Sequence, residues 1–376
     1  MVGTVPIGGG SPVTIQSMAT ADTKDFDAVS RQIKSLANCG CDLVRIALYD
    51  RACALSVPRL VEASPVPLIA DVHFDAEIAV AAIEHGIPKV RINPGNIGNA
   101  NAVQRVVDAA RAHGVPLRVG ANGGSLPRDL RSMRVSEALA AAALREVQML
   151  ERMHFHDIVI SVKSSSTLDC IDAARLVACR VPYPLHLGVT EAGIRDRALV
   201  KSAIGIGALL ADGIGDTIRV SFSGNPMHEI EAARRILEAC GMRRAAVEII
   251  SCPTCARCAI DVERIVQNVE KLTEEYTTPV TIAVMGCAVN GPGEARRANV
   301  GLAGAPDGVV LFEAGHVVGT EHSVDAALRA LAELLSRYEA RHRKHGGSDD
   351  TETLECCASS SEREAPENSA QTESHL

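Results

Sequence analysis

Three cysteines and one glutamate in the second half of the sequence have the spacing of a metal or iron–sulfur site. Cys252 and Cys255 form a Cys-x-x-Cys pair, and Cys287 follows 32 residues after the second cysteine. Such a pair brings two thiolates to one metal centre, which suits zinc or an iron–sulfur cluster. The tight-turn sequence Asn-Gly-Pro-Gly at 290–293 then places Glu294 seven residues after Cys287.

The ligand types favour a catalytic iron–sulfur cluster over structural zinc. Structural zinc requires a fourth Cys or His in a closed tetrahedral site, and 290–299 contains neither. A cluster held by three thiolates and the weaker oxygen ligand Glu294 would have one iron able to exchange that ligand for substrate. Cys258 leaves an alternative open, because Cys-x-x-Cys-x-x-Cys begins a bacterial ferredoxin motif. In that alternative an electron-transfer cluster is bound by Cys252, Cys255, Cys258 and Cys287.

A repeating unit precedes these residues. Each repeat is a short β-branched apolar run followed by an Ala-rich helical stretch, a pattern that predicts parallel strands with right-handed helical crossovers. Eight repeats predict an α/β fold, a closed TIM-like (β/α)8 barrel, with a doubly wound open sheet as the alternative. The runs are 13–18, 42–48, 67–74, 89–95, 116–124, 157–165, 184–193 and 216–223.

Charged side chains stand towards the ends of these runs, where a parallel barrel gathers its functional groups. Any one of them could be an ordinary salt bridge at the barrel mouth. Together, five permanent cations on one rim would repel each other strongly unless a polyanion lay between them. Because guanidinium groups pair with phosphate oxygens and lysine adds a compact charge, the pattern predicts a diphosphate. The five cations are Arg45, Arg91, Arg118, Lys163 and Arg219.

The pattern changes to a compact α+β module after residue 225. We divide the chain into a barrel at 1–225, a linker helix at 226–244, a cluster domain at 245–345 and an acidic tail at 346–376. The tail holds eight Asp or Glu and one Arg, so seven of the eight net negative charges lie there. Its Ser- and Glu-rich composition predicts disorder.

Composition excludes several classes of function. Residues 1–345 are close to neutral, so no basic face for nucleic acid is expected. The sequence has no apolar run of 18 residues and no signal peptide at its start, so we expect no membrane association. Twelve cysteines without an export signal indicate reduced thiols and metal binding, and hence a cytoplasmic protein.

Several long and unusual strings resemble the bacterial two-domain type of the 4-hydroxy-3-methylbut-2-enyl diphosphate synthase family of the non-mevalonate isoprenoid pathway. The resemblance extends from about Val5 to Glu339. The strings are ADVHF at 70–74, RINPGNIG at 91–98, HLGVTEAG at 186–193, GIGDTIRVS at 213–221, ISCPTC at 250–255 and VMGCAVNGPGE at 284–294.

This resemblance implies a barrel domain, a [4Fe–4S] domain and two-electron reductive ring opening of 2-C-methyl-erythritol 2,4-cyclodiphosphate. It implies Glu191 as the acid/base and Asn290 as a substrate contact beside the cluster. The cluster ligands it implies are Cys252, Cys255, Cys287 and Glu294. The diphosphate-binding residues it implies are Arg45, Arg91, Arg118, Lys163, Arg219 and Ser221, with His73 and Asn122 nearby.

The family pattern has no cysteine at the position of Cys258, so the chain departs from it there. The resemblance also implies a head-to-tail homodimer and either flavodoxin or ferredoxin as electron donor. Two other functions remain as alternatives at this point. One is a zinc-bearing barrel enzyme that acts on a sugar phosphate without redox chemistry, and the other is a ferredoxin-like electron-transfer protein.

Overall fold

The computed structural model describes residues 1–287 and 298–344 and divides the chain into two compact units. The first unit runs from Met1 to Arg244, and the second begins at Ala245. The predicted acidic tail lies outside the described residues. No helix within the described ranges is both long and apolar enough to span a bilayer.

The first unit is an eight-stranded parallel barrel, as the repeating sequence pattern predicts. Adjacent strands pair in the order β6-β5-β4-β3-β2-β1-β8-β7, and a single parallel bridge between Ile160 and Leu185 joins β6 to the segment just before β7. The strands are β1 Thr14–Met18, β2 Leu43–Ala47, β3 Leu68–Asp71, β4 Lys89–Arg91, β5 Leu117–Asn122, β6 Ile158–Lys163, β7 His186–Leu187 and β8 Thr217–Ile218.

Helices connect the strands, and several begin at polar residues that follow a strand. In five of them the side chain before the first turn accepts a backbone N–H hydrogen bond, which supplies a partner for an otherwise unpaired amide. These capping residues are Asp25, Asp50, Asp75, Asn99 and Ser166. The helices are α1 Phe26–Asn38, α2 Arg51–Leu55, α3 Val57–Ala63, α4 Ala76–Glu84, α5 Ala100–His113, α6 Val135–Arg152, α7 Thr167–Ala178, α8 Arg195–Ala211 and α9 Met227–Ala239.

Helix α9 accounts for most of the segment that the sequence analysis set apart as a linker at 226–244. Its buried face includes Ile230, Ala233 and Leu237, which join the core of the barrel unit. That core contains few aromatic residues and is built from Val, Ile, Leu and Ala, whose small volumes let helices and strands pack closely.

The second unit is a five-stranded sheet with helices on one face. Strands β9 to β11 are parallel, and β11 to β13 are antiparallel, as expected of an α+β module. The two helices pack against Val280, Ile282 and Val284 of β10 in one apolar cluster. The elements are β9 Val247–Ser251, α10 Val262–Leu272, β10 Val280–Met285, β11 Val300–Ala305, β12 Gly308–Glu313, β13 His316–Glu321 and α11 Val324–Lys344.

Gly120 allows β5 to lie against β6. Its φ is +142°, and a Cβ built there would be 1.8 Å from the backbone oxygen of Ser161 in β6. A side chain would therefore force the two strands apart at the height of the predicted site.

We predict that Gly120→Ala lowers the free energy of unfolding by about 3 kcal/mol, through backbone strain and a clash with Ser161. Urea denaturation measures this change. Gly124→Ala is the matched control, because no atom lies within 4 Å of a Cβ built there. Equal stability of the two variants would contradict the close strand approach.

Candidate active site

The structure brings the five predicted cations together in the barrel unit, three of them at the carboxyl ends of strands and two, Arg45 and Arg118, within their strands. Burial, followed by the charges of Arg45, Arg91 and Arg219, lowers the pKa of Arg118. Burial and then the charges of Arg118, Arg219 and Arg45 likewise lower the pKa of Lys163. By position, Arg45 lies in β2, Arg91 ends β4, Arg118 lies in β5, Lys163 ends β6 and Arg219 directly follows β8.

Asp71, the last residue of β3, is the anion that holds two of these cations. Its Oδ2 lies 3.5 Å from Arg45 Nε, and its Oδ1 lies 3.2 Å from Arg91 Nη1. The carboxylate is 4% exposed. Burial alone would raise the pKa of Asp71, but Arg45, His73 and Arg91 together outweigh it and hold that pKa well below its ordinary value. Asp71 is therefore ionised and fixes the two guanidinium groups.

Arg118 is almost fully buried, at 2% exposure, and only partly paired. Its Nη1 donates to Gln16 Oε1 at 3.4 Å, while its Nε has no hydrogen-bond partner among the described residues. Burial, followed by the charges of Arg45 and Arg91, lowers the pKa of Arg118 well below its ordinary value. A buried cation with an unused donor can bind an anion strongly, because the surrounding medium screens charge poorly.

Three further residues predicted for the site end or follow strands of the barrel. His73 Nε2 lies 3.2 Å from Asp71 Oδ2, and Arg91 Nη1 lies 3.1 Å from the same ring nitrogen. Asn122 ends β5, and Ser221 lies two residues after Arg219 and is half-buried. His73 is thus in contact with the charge network.

Glu229 of α9 is a site residue that the sequence analysis missed. Its Oε2 accepts from Ser17 Oγ at 3.3 Å and lies 3.6 Å from Arg219 Nε. Its Oε1 accepts from the backbone N–H of Phe222 at 3.0 Å. One buried carboxylate therefore holds Arg219 and the loop that carries Ser221. No sequence signal marks it, since Glu229 lies outside the barrel repeats.

Lys89 is a second missed residue. Its side chain is fully buried, and its Nζ has no hydrogen-bond partner in the described part of the chain. Burial, followed by the charge of Arg118, lowers the pKa of Lys89 well below its ordinary value. A signal was present in the sequence, because Lys89 and Arg91 are two residues apart in one strand and so share the inner face.

A cavity of about 550 Å³ opens beside this cation group in the barrel unit. Met18, Ala47, Tyr49 and Arg219 contribute to its wall. Met18 Sδ lies 3.0 Å from Arg45 Nη2, so it covers one side of that guanidinium. The volume is sufficient for a small phosphorylated molecule.

Glu191 lies in the loop after β7 with a left-handed backbone, φ +52°, which is uncommon for a residue other than glycine. Its side chain is exposed. The run predicted at 184–193 is longer than β7, which has two residues, and Glu191 and Gly193, both with positive φ, lie beyond that strand. Strained backbone of this kind is concentrated at functional sites.

The three predicted cysteine ligands lie at the ends of β9 and β10. Cys252 and Cys287 are buried and Cys255 is exposed. The backbone N–H of Gly286 donates to Cys252 Sγ at 3.0 Å, which brings the two cysteine segments together. Within 1–287 and 298–344, no three His, Cys, Asp or Glu side chains are close enough together to hold a metal ion. The other predicted residues, Glu294 and Asn290, lie outside the described residues.

Cys258 lies on a different face of the sheet from Cys252. Cys252 packs with Ala283 and Met285, which project away from the helices, whereas Cys258 packs against the helix-side cluster. The Cys258 thiol donates to the backbone oxygen of Ile260 at 3.0 Å. Its environment is therefore that of a partly buried thiol with a local hydrogen bond.

Comparison with known proteins covers both units. Residues 1–234 match the family model described as the GcpE TIM-barrel domain, and residues 248–337 match the GcpE protein C-terminal domain. Three relatives carry the name 4-hydroxy-3-methylbut-2-en-1-yl diphosphate synthase (flavodoxin). They come from Caldanaerobacter subterraneus (44% identity, covering 89% of this chain and 96% of the relative), Lawsonia intracellularis (45%, 91% and 96%) and Natranaerobius thermophilus (48%, 89% and 94%).

We predict that Asp71→Asn lowers the free energy of unfolding by about 3–5 kcal/mol at pH 7, because two buried guanidinium groups lose their counter-charge. The folded-state pKa of Asp71 lies below its unfolded value. Its contribution is therefore fully present above an unfolded pKa of about 4 and decreases as the pH falls towards the folded pKa. Urea denaturation should show a smaller difference between wild type and variant at pH 3 than at pH 7.

Asp129→Asn is the control for this measurement. Asp129 pairs with Arg145 on the exposed surface, so its replacement should leave stability almost unchanged at pH 7. If Asp71→Asn behaved like this control, Asp71 would not be the anchor of the cation group.

Proposed function

The chain belongs to the GcpE family, and on this basis we propose that it is a 4-hydroxy-3-methylbut-2-enyl diphosphate synthase of isoprenoid biosynthesis. The reaction takes 2-C-methyl-erythritol 2,4-cyclodiphosphate, two electrons and two protons to 4-hydroxy-3-methylbut-2-enyl diphosphate and water. Both family domains are present, and the relatives are matched over more than nine-tenths of their length. The zinc-enzyme and electron-carrier alternatives are not favoured by these similarities.

The five cations of the barrel unit, here called the cation group, are the observation that supports diphosphate binding. Asp71 and Glu229 are the anions in contact with it among the described residues, and Arg118 keeps an unused buried donor. A diphosphate supplies the missing negative charge. When the ring C–O bond breaks, negative charge grows on a diphosphate oxygen, and fixed guanidinium groups in a buried site stabilise it without reorganising.

For the cofactor we propose a [4Fe–4S] cluster held by Cys252, Cys255, Cys287 and Glu294. The donor set fits, because three thiols and a carboxylate match iron, and the Gly286 N–H can stabilise a thiolate at Cys252. The bound cluster would supply electrons singly and a Lewis-acidic iron. Reduced thiol ligands persist in a reducing compartment, which is consistent with the cytoplasm.

Two further residues have proposed roles in proton transfer and positioning. Glu191 is exposed, so its carboxyl can reach the substrate and donate the proton with which hydroxide leaves as water. Asn290 follows Cys287 by three residues, so its amide can contact the substrate next to the ligand cysteines. For the electrons we propose flavodoxin, which the names of the relatives include, with ferredoxin as the other candidate donor.

Anaerobic reconstitution with iron and sulfide, followed by a dithionite-driven assay on the cyclodiphosphate, tests this function. We expect brown protein with absorbance at about 400 nm and formation of the open-chain diphosphate. Colourless protein with stoichiometric zinc and no turnover would contradict it.

We predict that Cys258→Ser retains its iron, because serine can still donate to the Ile260 carbonyl and the thiol is not needed as a ligand. Cys252→Ser should lose most of its iron, since it removes a proposed ligand. Iron per chain after anaerobic reconstitution measures both. If Cys258→Ser lost as much iron as Cys252→Ser, the all-cysteine ligand set would be correct.

We also propose a head-to-tail homodimer in which the cluster module of one chain covers the barrel mouth of its partner. A Cys287→Ser chain keeps a complete barrel and a Glu191→Gln chain keeps a complete cluster module. We predict that heterodimers of these two inactive variants regain partial activity, measured after purification with two different tags. Heterodimers of verified composition without activity would contradict a shared site.

A further inference from the structure

Lys163, His186 and Thr217 form a line of contacts inside the barrel, and the reaction described above uses only Lys163 of the three. Lys163 Nζ lies 3.2 Å from His186 Nε2, and His186 Nδ1 lies 3.4 Å from Thr217 Oγ1. The three residues come from β6, β7 and β8, and His186 pairs directly with Thr217 in the sheet. His186 is 1% exposed and Thr217 is fully buried, so water does not compete for these contacts.

Hydrogen-bond chemistry fixes the form of the imidazole when Lys163 is charged. An ammonium group has only donors, so His186 Nε2 must accept with its lone pair. The ring proton then lies on Nδ1, where it can point to Thr217 Oγ1. Burial, followed by the charges of Lys163 and Arg118, lowers the pKa of His186 well below its ordinary value, which agrees with a neutral ring.

The acceptor on His186 matters to Lys163 because the charges around this lysine are positive. Burial, followed by the charges of Arg118, Arg219 and Arg45, lowers the pKa of Lys163, and all three of these neighbours are cations. The hydrogen-bond partner that the described residues offer to its Nζ is His186. The neutral lone pair therefore supports the charged form of Lys163 without cancelling its positive charge, as a carboxylate would.

The shape of β7 agrees with this arrangement. Directly after that strand, a Cβ built at Gly188 would lie 3.0 Å from Lys163 Nζ and 2.5 Å from the backbone oxygen of Arg219. The lysine side chain thus passes over a position that has no side chain and ends at the histidine. The missing side chain at Gly188 leaves room for the ammonium group, and His186 is its hydrogen-bond partner there.

We propose that His186 is a positioning residue that holds the Lys163 ammonium towards the diphosphate, with Thr217 fixing the imidazole tautomer. This inference rests on the proposed function, since it assigns Lys163 to the diphosphate. It predicts that the histidine acts on substrate affinity through the lysine and through no contact of its own.

Calorimetric titration of the full chain with inorganic diphosphate tests the proposal. His186→Leu removes the acceptor and should weaken binding about tenfold, the size expected for losing a hydrogen bond to a charged group. His186→Gln offers an amide oxygen in place of Nε2 and should keep most of the affinity. His156→Leu is the control, because His156 is exposed and contacts Tyr183, and its replacement should not change binding.

A double-mutant cycle separates positioning from general damage to the barrel. Lys163→Met should weaken diphosphate binding, and adding His186→Leu should then cause no further loss. Equal losses from His186→Leu in both backgrounds would overturn the positioning role while leaving the diphosphate site intact. If Lys163→Met bound diphosphate as tightly as wild type, the assignment of Lys163 to the diphosphate would fail, and the positioning role with it.

Nitrogen NMR of the histidine rings gives a readout that does not depend on a folded His186 variant. In the diphosphate-bound wild-type chain, His186 should show an unprotonated Nε2 and a protonated Nδ1 from pH 6 to pH 8. A proton on Nε2 in this range would overturn the proposal, because that nitrogen could not accept from an ammonium group.

Discussion

Like charges buried together in the barrel unit are the constraint on which the rest of the structure depends. Moving a guanidinium group out of water costs on the order of several kcal/mol unless an opposite charge compensates it. Asp71 compensates Arg45 and Arg91, and Glu229 lies against Arg219. Arg118 keeps an unpaired Nε, so the compensation is incomplete. The barrel therefore supports a site whose electrostatic balance calls for an anionic ligand.

Much of this arrangement can be predicted from the sequence, because one geometric rule of parallel barrels connects the order of the strands to the position of the charged side chains. Parallel strands in a barrel present their carboxyl ends together, so eight apolar runs with polar ends are sufficient to group Arg91, Lys163 and Arg219. The roles of Glu229 and His186 could not be predicted in the same way. Each depends on contacts between segments distant in sequence, whose register is set by packing and not by a local pattern.

The cysteine segment shows the same division between local and long-range information. Spacing alone left two ligand sets open, because a Cys-x-x-Cys-x-x-Cys run does not reveal on which side of a sheet each sulfur lies. Cys252 and Cys258 occupy opposite sides, and a local hydrogen bond to Ile260 satisfies the second. The difference arises from how the chain turns after β9, which composition and periodicity do not encode.

The most direct test of this account is a crystal structure of the full chain with the cyclodiphosphate bound. The account predicts diphosphate oxygens within hydrogen-bond distance of Arg118 Nε and Lys163 Nζ. A diphosphate bound elsewhere on the molecule, with Arg118 Nε still unpaired, would contradict it.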